Sequence, residues 1–444
     1  MLKTAILLGF IYKIIFILIS LFCIIGANYN KKGEKMDAMS SLPPQYADGE
    51  ILDVDRDLIE EPLPQQITSR TTFYQRVVLI IKALGYSKPS GLCEGFARLG
   101  MNAGLARQTV QFKDRLTHIA AVIESFVVRG ETNPLTIADS FKGDLDSMSF
   151  FEVLAIAQDS DDYTYLFDRK LYPRYQGEGR SIEALNEIIS SNALMELGGI
   201  QEVAAYSGIY HQLPLHMYLG YLKSAFDKSK VDAPIGMLLS HAAHMISLVY
   251  DKVLGLWMTI DINKVPNSEF ISSDIERVVE FVYEGLEEEE RADEDGPLIF
   301  ATHIFTLKSA ASTLAKEIDK WMQTSSFQRL HKLDQQFLIH SQEDLSYWLL
   351  LAIREDDEEM VSNLLDYGDI VLDVQEPGEG WTALHFAVWM KKSKFVRLLL
   401  ENGASADIPN ANGNTAPMLA IEYNYREILD IFSEFEESDA MLTD

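Results

Sequence analysis

The sequence has few cysteines and few basic residues for its length. Only two cysteines, Cys23 and Cys93, occur in 444 residues, which excludes a disulfide framework and indicates that Cys93 is a free thiol in a reducing compartment. Lys and Arg total 38 against 67 Asp and Glu, a formal net charge of −29. Nucleic-acid binding needs a basic face for the phosphates, so this balance argues against a DNA- or RNA-binding protein. The 47% hydrophobic content is that of a globular chain with two or three domains.

Long hydrophobic runs are rare, and the longest lies at the N-terminus. Residues 4–28 are nearly all apolar, are interrupted by Lys13 and are flanked by further lysines. Residues 1–35 therefore indicate a leader, either a signal peptide or a single membrane anchor. The alternative is a misassigned start. The Lys-Gly-Glu-Lys stretch directly before Met36 can be encoded by a bacterial ribosome-binding sequence, and translation would then begin at Met36.

Composition and periodicity divide the remaining chain. Residues 36–71 carry prolines among acidic residues and predict an extended linker. Between residues 72 and 310, apolar segments at helical spacing alternate with β-rich runs, a pattern typical of an α+β domain. Residues 311–344 predict a helical connector. The β-rich runs are at 244–250, 256–262 and 298–307.

A repeat marks the C-terminal third. The segments GWTALH and GNTAPM begin at positions 380 and 413, 33 residues apart, and Ala387 pairs with Ala420 at the same spacing. This period and the TALH tetrapeptide are typical of ankyrin repeats. With a degenerate earlier copy, about three repeats are predicted over residues 345–434, an all-α solenoid that binds a protein partner. His385 in the TALH motif is expected to be structural.

Cys93 stands at the start of a predicted helix. Pro89 and the Ser90-Gly91 pair interrupt the chain, and residues 96–107 then have helical character. Free backbone N–H groups and the helix dipole at such a position stabilise a thiolate, so Cys93 is a candidate nucleophile. The alternative interpretation is a buried cysteine that acts only as a small hydrophobic residue.

A predicted hairpin supplies two further candidates. The run that begins at His244 is followed, after a turn at Leu254-Gly255, by a second run that leads to Asp261. A short turn sets the start of the first strand beside the end of the second, so His244 and Asp261 become neighbours. The carboxylate can then fix the tautomer of the imidazole. His241 is an alternative base, but an H-x-x-H pair without a third ligand is a weak metal signal, and no metal or cofactor is predicted. The histidines at other positions are interpreted as ordinary.

Three short motifs together resemble a known family. The G-L-C-x-G-x-A helix start, the strand-opening H-x-I-S-L and the later W-x-x-x-D-x-N are similar to papain-like cysteine proteases of the YopT/AvrPphB class, which bacterial pathogens inject into host cells. The resemblance covers residues 72–310 and implies a papain-like fold. It also implies that Cys93 is the nucleophile, His244 the general base and Asp261 the group that orients it. Residues 87–92 contain no Gln, although such enzymes often use one there as an oxyanion donor.

The combination with ankyrin repeats extends the resemblance to the whole chain. It is similar to the ankyrin effectors secreted by the Dot/Icm type IV system of Legionella-like intracellular bacteria. The acidic tail at 435–444 is similar to the secretion signals of those effectors. The resemblance implies a thiol hydrolase in the host cytoplasm, acting as a protease, deamidase or acyltransferase on a host protein bound by the repeats. Two alternatives stay open: a catalytically silent scaffold that sequesters a host protein, and a bacterial enzyme anchored in the membrane through residues 1–35.

Overall fold

Helices come first along the chain, before any strand is formed. They are, with their bounds, α1 (Phe73–Ala83), α2 (Cys93–Leu105), α3 (Thr109–Val128), α4 (Pro134–Ser140), α5 (Leu145–Gln158) and α6 (Asn192–Glu196). The computed structural model describes residues 65–86, 92–158, 185, 189–241, 244–265, 271–286, 297–331, 342–368, 370–376 and 380–442. The leader at 1–35 and the tail end at 443–444 lie outside these residues, as does the linker up to residue 64. Among the described helices, none is long and apolar enough to cross a bilayer.

One antiparallel sheet organises the middle of the chain. Its described strands are β1 (Ile200–Tyr210), β2 (Ile235–Ser240), β3 (Met245–Asp251), β4 (Leu256–Ile260), β5 (Ile271–Ser272) and β6 (Leu298–Leu307). The spatial order is β1-β6-β2-β3-β4-β5, so the last strand in sequence is inserted between the first two. The intervening and following helices are α7 (Gln212–Lys228), α8 (Ile275–Leu286), α9 (Lys308–Met322) and α10 (Ser325–His331). The predicted α+β mixture with antiparallel strands is confirmed.

Both faces of the sheet are covered, which explains why its inner strands are apolar throughout. Every residue of β2 and of β6 is buried. Leu238 packs into one core with α1 to α5, whereas its neighbours Met237 and Leu239 pack into a second core with α7 and α8. Successive side chains of a strand point to opposite faces, and each face here meets its own helical layer.

Glycines let α2 lie directly on the sheet. A Cβ atom at Gly100 would be 2.3 Å from the Cδ1 atom of Ile260, and one at Gly104 would be 2.9 Å from the Cβ atom of Val249. No side chain larger than hydrogen fits at either position. The close approach sets the distance between α2, which begins at Cys93, and the strands that lead to His244 and Asp261.

Three helix pairs form the C-terminal array at the predicted period. They are α11 (Gln342–Arg354) with α12 (Glu358–Tyr367), α13 (Ala383–Trp389) with α14 (Ser393–Glu401), and α15 (Ala416–Glu422) with α16 (Arg426–Leu442). The buried His385 joins neighbouring repeats. Its Nδ1 atom lies 2.8 Å from Oγ1 of Thr382, and its Nε2 atom lies 2.9 Å from the carbonyl oxygen of Asn414. His385 thus has the structural contacts expected of it.

The first repeat packs on the sheet itself. The indole of the fully buried Trp348 donates to Oγ of Ser207 on β1, at 2.9 Å. The Ser207 N–H in turn donates to Oδ2 of Asp357, at 3.0 Å. Ile299 and Ala301 of β6 belong to the same hydrophobic core as the array. The array and the α+β region are therefore parts of one compact unit.

Candidate catalytic site

Cys93 is the first residue of α2. Leu92 occupies the N-cap position and is fully buried, while the Cys93 side chain is only partly buried. The helix-start position predicted from the sequence is thus observed. Pro89 and the Ser90-Gly91 pair, from which the helix start was inferred, lie outside the described residues.

Gln158 fixes the first turn of α2 from the end of α5. Its Oε1 atom accepts a hydrogen bond from the Gly95 N–H at 3.1 Å. A Cβ atom at Gly95 would be 2.7 Å from the carbonyl oxygen of Leu154, so only glycine allows α5 to approach this closely. Sequence reasoning did not identify Gln158, because no spacing rule connects it with Cys93.

His244 and Asp261 are in direct contact. Nε2 of His244 lies 2.9 Å from Oδ1 of Asp261, whose side chain is 2% exposed. The strand register explains the contact: Ser247 of β3 pairs with Ile260 of β4, which brings the residue before β3 beside the residue after β4. The same Oδ1 atom accepts from the Asn263 N–H at 2.9 Å, and this second bond holds the carboxylate in place.

The electrostatics of His244 depend on both predicted partners. Burial lowers the pKa of His244, but hydrogen bonds with Asp261 and with the Cys93 side chain outweigh it and raise the pKa to about 9. Since Nε2 contacts Asp261, Nδ1 is the ring nitrogen that remains for the thiol. At neutral pH the ring is therefore an imidazolium between a carboxylate and a sulfur atom. The structure brings together Cys93, His244 and Asp261, which come from three separate elements.

His241 faces a different environment. Its N–H donates to the His244 carbonyl oxygen at 2.8 Å, and its own carbonyl oxygen accepts from Arg354 at 3.3 Å. The histidine that contacts Asp261 is His244 rather than His241. Within the described ranges, no group of three or more His, Cys, Asp or Glu side chains could hold a metal ion.

A buried charge cluster was missed by the sequence analysis, which treated His303 as ordinary. Nδ1 of His303 on β6 lies 2.6 Å from Glu202 of β1, and Nε2 lies 2.9 Å from Glu355, directly after α11. Burial lowers the pKa of His303, but the two carboxylates raise it to about 9. Burial raises the pKa of Glu355, but His303 and Arg354 outweigh it and lower the pKa to about 2. The partners are far apart in sequence, so no local pattern could have indicated the cluster.

Comparisons with known proteins concern the repeats. Residues 349–444 match the family model for ankyrin repeats in three copies. The human (Homo sapiens) 2-5A-dependent ribonuclease is 39% identical over 75 residues, which cover 17% of this chain and 10% of that protein. The potassium channel AKT1 of Oryza sativa, in subspecies indica and japonica alike, is 33% identical over 89 residues, or 20% of this chain and 9% of the channel.

These similarities have a limited reach. The chain spans about a tenth of the length of the curated relatives it matches, so the nuclease and channel activities in those names belong to those proteins. Ankyrin repeats generally mediate binding to partner proteins. Together with the three helix pairs, the match confirms the predicted repeats: the C-terminal part of this chain consists of ankyrin repeats.

Proposed function

We propose that this chain is a thiol hydrolase of the papain-like type that acts on a protein bound by its ankyrin repeats. One observation carries the proposal: His244 is hydrogen-bonded to both Asp261 and Cys93. A thiol at a helix start, an imidazole and a buried carboxylate in this order are the groups that nucleophilic catalysis by cysteine requires.

The mechanism is acyl transfer in two halves. The Cys93 thiolate attacks an amide carbonyl carbon, forming a C–S bond while the carbonyl electrons move to the oxygen. The His244 imidazolium donates its proton to the leaving amine as the C–N bond breaks, which leaves a thioester on Cys93. Neutral His244 then takes a proton from water, the hydroxide attacks the thioester, and the acid and the thiolate are released. Asp261 keeps the ring oriented throughout.

The oxyanion needs a donor at the start of α2. Because the Gly95 N–H already donates to Gln158, we assign the role to the backbone N–H of Cys93 itself. The second donor sought in residues 87–91 lies outside the described residues.

The array supplies the protein substrate in this proposal. Its surface carries large apolar side chains that no neighbouring repeat covers: Trp389 is 45% exposed and Ile421 is 65% exposed. Ile421 corresponds, 33 residues on, to Val388, which is fully buried against the next repeat. Exposed apolar and aromatic side chains of this kind are common in protein interfaces.

We further propose that the target is a host protein and that the chain is a secreted bacterial effector. The support is the pairing of a thiol site with ankyrin repeats and the acidic C-terminal residues 434–439. A reporter enzyme fused to the chain should reach the cytoplasm of infected cells, and removal of residues 435–444 should prevent this. Equal delivery with and without those residues would contradict the proposed signal.

The catalytic proposal is tested by the rate of Cys93 alkylation between pH 4 and pH 9 in the full chain. We expect rapid alkylation at pH 6, because an imidazolium partner stabilises the thiolate. His244→Ala should lower the pH 6 rate roughly tenfold or more, and Asp261→Ala should have a smaller effect in the same direction. His118→Ala is the control, since that exposed histidine contacts only Asp144 among the printed ion pairs of the described chain.

Two outcomes would contradict the enzyme. One is slow alkylation of the full chain that His244→Ala leaves unchanged. The other applies once a substrate is found: hydrolysis should decline above about pH 9, where His244 loses the proton that it gives to the leaving amine. Hydrolysis that stays constant above that pH would exclude His244 as the acid.

A silent scaffold that only sequesters a partner is the second candidate, and the exposed Ile421 favours it equally. Cys93→Ala separates the two. A hydrolase loses its effect on the bound protein while keeping its binding, whereas a scaffold keeps both.

A further inference from the structure

The first ankyrin repeat reaches the turn that carries His244. Arg354, the last residue of α11, donates from Nη2 to Oγ of Ser240 at 2.8 Å and to the His241 carbonyl oxygen at 3.3 Å. Ser240 is the last residue of β2 and is 4% exposed. His241 is bonded through its N–H to the carbonyl oxygen of His244. A short chain of hydrogen bonds therefore joins the array to the proposed catalytic histidine.

The guanidinium of Arg354 is itself held in place. Its Nε atom donates to Oε1 of Glu355 at 3.0 Å, and the other oxygen of that carboxylate contacts His303. His303 is anchored in turn by Glu202 on β1. The carboxylate of Glu355 stays charged over the ordinary pH range because its pKa is about 2. Arg354 is thus fixed on the array side by buried charges of the sheet.

The clamp acts where the geometry of His244 is decided. His244 immediately precedes β3, and Ser240 at the end of β2 pairs with Met245 at the start of β3. Arg354 contacts the β2 side of this connection. A displacement of about 1 Å in a catalytic group can cost on the order of a hundredfold in rate.

We propose that Arg354 is a positioning residue for His244, so that the ankyrin array is part of the catalytic unit as well as the part that binds a partner. This inference rests on the proposed function. It assigns no chemical step to Arg354, which acts only by holding the backbone and hydroxyl groups of residues 240–241.

The test compares three variants of the full chain by the pH profile of Cys93 alkylation. Arg354→Met removes the clamp, and Ser240→Ala removes one of its acceptors without touching the charge cluster. Arg397→Met is the matched control, because Arg397 lies in the same array and pairs with the exposed Glu434. We expect Arg354→Met to lower the pH 6 rate roughly tenfold and Ser240→Ala to lower it roughly threefold. Arg397→Met should match the unmodified chain.

The outcomes separate the two proposals. If His244→Ala does not change alkylation of the otherwise unmodified chain, the proposed function fails. If His244→Ala slows alkylation but Arg354→Met and Ser240→Ala keep the original profile, only the positioning role is overturned. If Arg354→Met does not fold, Ser240→Ala decides: a reduced rate supports the clamp, and an unchanged profile overturns it. Arg354→Lys, which keeps the charge beside Glu355, should restore folding and only part of the rate.

Discussion

The α+β region and the ankyrin array differ in how far apart their contacting residues lie in the sequence. In the array, His385 reaches Asn414, 29 residues away, in the next repeat. In the α+β region, the Gly95 to Gln158 bond spans 63 residues and the Glu202 to His303 contact spans 101. Local contacts form one repeat at a time, whereas distant contacts need most of the region to be in place. Changes in the array are therefore expected to act locally, and changes under the sheet to act on the whole site.

The largest effect is expected where the two regions meet. His303→Leu leaves the carboxylates of Glu202 and Glu355 buried without their cation, which should cost about 3–5 kcal/mol of unfolding free energy. Urea unfolding followed by Trp fluorescence measures the loss. His216→Leu removes a histidine that pairs with the exposed Glu276, and it should change stability by less than about 1 kcal/mol. Equal effects of the two substitutions would mean that the cluster does not hold the regions together.

Alkaline pH should weaken the sheet side more than the array side. His244 and His303 both have a pKa raised to about 9. Their stabilisation is complete below the unfolded value of about 6.5 and is lost as the pH rises through 9, by on the order of 3 kcal/mol each. Burial lowers the pKa of His385, so the array loses stability in the opposite direction, as the pH falls below about 6.5. Urea midpoints at several pH values measure both slopes.

Asp261→Asn sharpens the pH comparison. It removes a partner that raises the pKa of His244, so the alkaline loss between pH 6.5 and 9 should become smaller while the acid-side loss from His385 is unchanged. A midpoint that is flat from pH 6.5 to 9 in the unmodified chain would refute the raised pKa values.

Closer packing should be resisted under the sheet and tolerated elsewhere. Gly100→Ala forces a methyl group against Ile260 and should destabilise the chain by about 1–3 kcal/mol while slowing Cys93 alkylation. Gly220→Ala is the matched control, since Gly220 lies within α7 with open space around its Cβ position. That change should stabilise the chain by about 0.5–1 kcal/mol. Thermal unfolding and alkylation rates of both variants make the comparison, and a neutral Gly100→Ala would show that α2 can shift freely.

Within the array, loss of one hydrogen-bonded turn should stay local. Thr382→Ala removes the contact with His385 and should cost about 1–2 kcal/mol. Thr415→Ala changes the corresponding residue of the third repeat, where Met418 replaces the histidine, and should cost less. Hydrogen exchange should rise in α13 and α14 but not in α2. Exchange that rises equally in α2 would indicate that the array and the site open together.

The smallest effect is expected at the surface of the array. Lys394 pairs with Glu358 of the preceding repeat, and both side chains are more than half exposed. Lys394→Ala should lower the unfolding free energy by only about 0.2–0.5 kcal/mol, and less in high salt. A loss above about 1 kcal/mol would show that surface charges contribute to the stacking of repeats.

The same difference in contact distance explains what the sequence could predict. The ankyrin repeats were predicted because a period of 33 residues repeats local structure, and they are confirmed. The contact of His244 with Asp261 followed from a short hairpin, whose register is set by its turn. The site roles of Cys93, His244 and Asp261, like the papain-like fold, stay predictions.

Other contacts could not be predicted from the sequence. Gln158, Arg354 and the Glu202–His303–Glu355 cluster depend on how elements far apart in the chain pack in three dimensions. The packing of α11 directly on β1 and β6 belongs to the same class, and it turns two predicted domains into one unit.

The position of β6 has a consequence for synthesis on the ribosome. Because β6 fills the gap between β1 and β2, the sheet has no closed centre until residues 298–307 have left the exit tunnel. Until then β1 and β2 each expose an unpaired edge, which is a template for aggregation. A nascent chain that already contains Cys93, His244 and Asp261 would still lack the strand that supports them. Pauses in translation just before residue 298 would therefore be the most hazardous for this protein, and a chaperone that covers strand edges would be needed most at that stage.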